Sequence, residues 1–99
     1  MHTIRLREPW IVELQSGRVI YRRYFNRPTG LQPGDIVQLA IDGLRHDALV
    51  SFNGHPLPAS DAMSWEIGGR LQPRNIVIVE AAGSEGLPFR EVRLEIGTV

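Results

Sequence analysis

Nowhere in this chain do apolar residues recur at i, i+3, i+4 and i+7 over a helix-length window free of glycine and proline, whereas period-two alternation returns from end to end. The sequence therefore predicts an all-β protein. Ile4 and Leu6 alternate with Thr3, Arg5 and Arg7, and this first strand is expected to resume after Pro9 through Trp10, Ile11, Val12 and Leu14. Gln15-Ser16-Gly17 supplies a turn. Over residues 18–26 the alternation puts Val19, Tyr21 and Phe25 on one face and Ile20, Arg22 and Tyr24 on the other, with Arg22 and Arg23 facing opposite ways.

Turn chemistry divides the rest. Pro33-Gly34-Asp35 leads into a strand with Val37, Leu39 and Ile41 as its core face, and Ala48, Val50 and Phe52 alternate against Asp47, Leu49 and Ser51. Asn53-Gly54 follows at once, the signature of a type I′ hairpin, which requires positive φ at both central residues. The return through His55-Pro56-Leu57-Pro58 must be short, because each proline removes a ladder donor. Residues 59–70 read as a loop anchored by Trp65 and Ile67, Ile76 to Val79 as a buried strand, and Val92, Leu94 and Ile96 as the last strand. Leu31-Gln32-Pro33-Gly34-Asp35-Ile36-Val37 is echoed by Leu71-Gln72-Pro73-Arg74-Asn75-Ile76-Val77, and two copies indicate a shared turn device rather than a solenoid. Seven or eight short strands predict a single domain over residues 1–99, a small β-sandwich or jelly roll, with a small barrel as the alternative. Its expected core is Val37, Leu39, Ile41, Val50, Phe52, Ile76, Ile78, Val92 and Leu94.

Charge and length narrow the function classes. Eleven basic residues, all arginine, balance eleven acidic ones, so the overall excess that draws proteins to phosphate backbones is missing. Nucleic acid is accordingly not the expected partner, and no apolar run approaches the ~20 residues of a membrane span. No signal-like apolar stretch opens the chain, so a cytoplasmic location is expected. The absence of cysteine excludes disulfides and thiolate zinc sites.

The order Tyr21-Arg22-Arg23-Tyr24-Phe25, then Leu31 to Asp42, His46 to Gly54, Trp65-Glu66-Ile67, Leu71-Gln72-Pro73 and Asn75 to Glu80 resembles the N-terminal sugar-binding domain of family 2 glycoside hydrolases. The likeness covers roughly residues 20–80 and implies a jelly roll of the galactose-binding-like kind. The chain departs from the family where a His-x-Gly-Gly-aromatic segment is usual, reading Ala59-Ser60-Asp61-Ala62-Met63-Ser64 instead, and Arg74 replaces the glycine of the second turn. The carboxylates that cleave glycosides sit on a separate barrel in that family, for which this chain has no residues, so the resemblance does not carry hydrolysis over.

His46, Asp47 and Ser51 are triad residue types without a nucleophile elbow, and Glu66 and Glu80 are a carboxylate pair only by elimination. His2, His46 and His55 lack ligand spacing, so no metal or other cofactor is expected. The expectation is a non-catalytic module that binds carbohydrate or another protein. For a sugar the candidates are the rings of Tyr24 and Trp65 with Arg22, His46 and Asn53 as polar groups. The alternative is a small nucleic-acid-binding β-domain that uses the Arg- and Tyr-rich segment 18–27. A homodimer is also expected, through an exposed edge at the final strand Glu91 to Ile96, which carries no proline.

Overall fold

The computed structural model describes residues 1–83 and 87–98. Strands β1 (His2–Arg5), β2 (Ile11–Gln15), β3 (Arg18–Asn26), β4 (Asp35–Asp42), β5 (Leu49–Phe52), β6 (His55–Leu57), β7 (Ser64–Glu66), β8 (Arg74–Ala82) and β9 (Glu91–Thr98) are joined by loops and one 3-10 turn, Gly68–Arg70. They form a four-stranded sheet in the order β1-β9-β4-β7 and a five-stranded sheet in the order β2-β3-β8-β5-β6, antiparallel throughout. The protein is a β-sandwich. Among the described residues no helix is long and apolar enough to cross a membrane.

The core lies where the alternation put it in most strands. Val37, Leu39 and Ile41 from β4, Val50 and Phe52 from β5, Val92, Leu94 and Ile96 from β9, and Trp65 and Ile67 close one apolar cluster. Burying each such side chain contributes about 1.5–3 kcal/mol. In β8 the phase is the opposite of the expectation: Val77, Val79 and Ala81 are buried, whereas Ile76 and Ile78 face outward. A continuous apolar run carries no phase of its own, and Asn75 supplies it. That side chain is buried and turned inward, which sends 77, 79 and 81 inward with it.

Three further expectations are corrected. The segment after Pro9 does not continue β1 but crosses to the other sheet, where it pairs with β3 as β2. The 59–70 loop contains an edge strand, because Leu39 of β4 stands opposite Trp65 and recruits β7. The final strand is not an edge: β9 pairs with β1 on one side and β4 on the other, so its donors and acceptors are used within the chain.

Turns behave as their residues dictate. Asn53 and Gly54 both have positive φ, 49° and 81°. The two echoed segments build the same device. Asp35 Oδ2 accepts from Gln32 N–H at 2.8 Å before β4, and Asn75 Oδ1 accepts from Gln72 N–H at 2.8 Å before β8.

The outer faces differ. On the four-stranded sheet Arg93 lies among Asp42 at 2.8 Å, Glu95 at 2.9 Å and Glu91 at 3.6 Å, and the Asp42 and Glu95 carboxylates favour its charged form. On the five-stranded sheet the row across the strands reads Ile11, Arg22, Ile78, Ser51, Pro56.

Replacing Asn75 with Leu is expected to destabilise the fold by about 3 kcal/mol or more, since it strands several buried donors and acceptors at about 1–3 kcal/mol each. A Cβ added at Gly54 meets no atom within 4 Å, so the expected cost of Gly54→Val, about 1–2 kcal/mol, is chiefly backbone strain at positive φ. Urea unfolding of both variants beside the parent measures each difference.

Candidate functional site

The candidate site residues fall into three places. Tyr24 and Arg22 lie on the outer face of the five-stranded sheet, where Arg22 pairs with Glu13 at 2.9 Å and Arg74 sits 5.0 Å from the Tyr24 ring centroid. Asn53 is in the hairpin turn, and its side chain is consumed there: Nδ2 donates to Arg70 O and Asn75 Oδ1, and Oδ1 accepts from Ile76 N–H, all at 2.9 Å. His46 and Trp65 come together, on the walls of a groove between the β5–β6 hairpin and the loop over residues 58–63.

That groove has a volume of about 360 Å³. Its apolar wall is Ala48, Val50, Leu57 and Met63, closed by one edge of Trp65. Trp65 is otherwise a core residue whose indole N–H donates to Pro58 O at 2.7 Å, which pins the loop over the groove. Met63 N–H donates to Ser60 O at 3.1 Å within the loop, and Met63 O accepts from Ile41 N–H of β4 at 2.9 Å, which ties the loop to its neighbour. His46, Ser60 and Asp61 also line the groove, and their side chains make no hydrogen bond or ion pair among the described residues. Sequence reading singled out neither Ser60 nor Asp61 for the ligand. Their polarity in a stretch that departs from the family pattern was the available signal.

Asp47, beside His46 in sequence, does not serve it. Its Oδ2 accepts from Ala82 N–H at 3.1 Å and from Arg45 at 2.8 Å, and the Ala82 bond first, then the Arg45 charge, lowers the carboxyl pKa below its ordinary 3.8. Ser51 sits on the outer face of the five-stranded sheet, opposite Ile78. The triad types are dispersed. Glu66 and Glu80 are farther still from acting together: Glu66 faces out from the four-stranded sheet beside Gln38, and Glu80 out from the five-stranded sheet, where it pairs with Arg18 at 3.7 Å. Stacked sheets lie ~10 Å apart, so carboxylates on the two outer faces cannot flank one glycosidic bond.

A second cleft, of about 270 Å³, opens where the chain crosses between sheets. The rings of Trp10 and Tyr21 pack on Phe89 there, with centroids 4.8 and 5.5 Å away. Those rings are committed to each other, and the arginines of segment 18–27 are largely committed too. Arg18 and Arg22 are ion-paired, while Arg23 turns inward to the carbonyls of Arg7 and Tyr24.

Because Asp47 is held ionised in the fold, its contribution is present above the unfolded value near 4 and is lost as pH falls through the lower folded value. The stability difference between the parent and Asp47→Asn is therefore expected to be full at pH 7 and to shrink below about pH 4, as read by thermal melts across that range.

No protein-family model matches this sequence, and no curated protein matches it. Solved structures do. The chain superposes with a TM-score of 0.73 and 16% identity on an FMN-binding beta-glucuronidase from Facaelibacterium prausnitzii L2-6, over 94% of its own length and 22% of that chain. It superposes with a TM-score of 0.65 and 23% identity on a beta-glycosidase from Bacteroides vulgatus, over 84% of its own length and 12% of that chain. It thus spans less than a quarter of either protein, and the resemblance seen in its turns and strands is one of fold: this chain has the fold of a small β-sandwich domain carried within much longer glycosidase chains.

Proposed function

We propose that this chain is a non-catalytic carbohydrate-binding β-sandwich whose ligand occupies the groove beneath the 58–63 loop. The observation that carries the reading is the pairing of surfaces there: His46, Ser60 and Asp61 with unused polar groups, set over the apolar wall of Val50, Leu57 and Met63. A sugar ring presents hydroxyl groups along its rim and C–H groups on its faces, so it matches a cup with both kinds of wall. The fold's occurrence in two glycosidases supports the same reading. The dispersal of His46, Asp47 and Ser51, and of Glu66 and Glu80, supports a binding role without turnover. The nucleic-acid alternative has less support, because ion pairs and inward hydrogen bonds occupy Arg18, Arg22 and Arg23.

A glycan array followed by calorimetry tests this. The expected result is a sugar ligand whose affinity falls about tenfold in His46→Ala and in Asp61→Ala, each loss being close to one charged or polar hydrogen bond. That affinity should barely change with ionic strength, since neutral-sugar contacts release no counterions. Failure to bind any glycan, or oligonucleotide binding that collapses with added salt, would overturn the proposal. Aryl-glycoside turnover abolished by Glu66→Gln or Glu80→Gln would overturn its non-catalytic part.

A further inference from the structure

A sandwich of two open sheets has four edges, and soluble proteins blunt such edges with proline, charge or brevity. Here β6 carries Pro56 and is followed by Pro58, β7 is three residues long, and β1 is four residues long with His2 and Arg5 at its ends. The remaining edge is β2, Ile11-Val12-Glu13-Leu14-Gln15, with no proline and no bulge. All five of its residues are exposed, and Ile11, Val12 and Leu14 are 53%, 56% and 71% exposed. We infer that β2 is an assembly edge, and that its partner is β2 of a second copy of this chain, paired antiparallel about Val12.

The register follows from backbone alternation and from one charge. Gln15 and Arg18 close a two-residue turn, Ser16 and Gly17, both at positive φ, and so form a hydrogen-bonded pair. Glu13 and Ile11 then also direct their N–H and C=O groups to β3, while Val12 and Leu14 direct theirs away from the sheet. A two-fold axis through Val12 sets Val12 opposite Val12 of the second copy and Leu14 opposite Trp10, apolar against apolar on the inner face. It sets Ile11 opposite Glu13 on the outer face, where Glu13 already holds its own Arg22 at 2.9 Å. Sliding the axis to Glu13 would face two carboxylates at the closer, non-hydrogen-bonded spacing, and an axis at Leu14 would run Val12 into the Ser16 turn. Self-pairing about Val12 therefore covers the exposed apolar groups, uses the outward N–H groups of Val12 and Leu14, exchanges the Glu8 partner of Trp10 N–H for Leu14 O, and opposes no like charges. The product is one ten-stranded sheet across two copies, with zero net charge on each to oppose the approach.

Sedimentation and light scattering of the full chain, up to about 100 μM, test the assembly. The expected mass rises with concentration from 11.1 kDa to twice that value. Val12→Lys, which opposes two ammonium groups at the axis, and Val12→Pro, which removes only an outward donor, are each expected to leave a monomer with an unchanged β circular dichroism spectrum. Ile11→Lys, placed opposite Glu13 of the second copy, is expected to keep the dimer. Register is read by cross-linking, since the chain has no cysteine of its own. Val12→Cys should oxidise to a disulfide dimer at least about tenfold faster than Leu14→Cys, because only the first pair falls within disulfide reach. A monomer across the whole concentration range, a dimer that survives both Val12 substitutions, or equal cross-linking at positions 12 and 14 would overturn the inference.

Discussion

The side chains of Asn75 and Asn53, joined Nδ2 to Oδ1 at 2.9 Å, hold together segments that sequence keeps far apart. Asn75 opens β8, accepts from Gln72 N–H, donates back to Gln72 O at 2.9 Å and reaches Phe25 O of β3 at 3.4 Å. Asn53 turns the β5–β6 hairpin and takes Ile76 N–H. One amide pair, with Asn75 buried and Asn53 partly so, thus fixes the phase of β8, the position of β3 beside it and the height of the hairpin that forms a wall of the candidate groove. The equivalent residue before β4 is Asp35, which can be an acid because it is only partly buried and need only accept. At position 75 a carboxylate could not donate to Gln72 O, so the buried copy of the device requires the amide.

The two outer faces are chemically unlike, and this bears on how the protein meets others. Arg93 and Arg5 among Asp42, Glu91 and Glu95 make the four-stranded sheet's exterior a polar, ion-paired surface in which the acids outnumber the arginines. The five-stranded sheet mixes Ile11, Ile78 and Leu49 with single ion pairs and runs out to the uncovered β2. The candidate sugar groove lies at the opposite end of that sheet, by β5 and β6. Association at one edge and ligand binding at the other need not compete.

Much of this architecture was legible from alternation and turn chemistry, and the failures have definite causes. Val37, Leu39 and Ile41 alternate with polar residues and could be oriented; Ile76 to Val79 do not, and only the hydrogen-bonding demand of Asn75 sets their phase. Trp65 and Ile67 were recognisable as anchors, but the pairing of Trp65 with Leu39 depends on β4 standing free on that side, which no local pattern encodes. The placement of β9 between β1 and β4 is likewise a matter of strand order, so its lack of proline reflects a central position rather than an exposed one. Of the site candidates, His46 and Trp65 line one groove because the segment before β5 and the segment after β6 border the same hollow, while Asn53 proved structural for the same reason it was conspicuous: it sits at the tightest turn.

The pairing of β1 with β9 has a topological consequence. Antiparallel register sets His2 opposite Ile96, so the path enters and leaves the sandwich at one corner of the four-stranded sheet. Holding those two points at a fixed, short separation costs little loop-closure entropy. A unit with this geometry can be spliced into a surface turn of a host polypeptide as a cassette, without prying the host's turn apart.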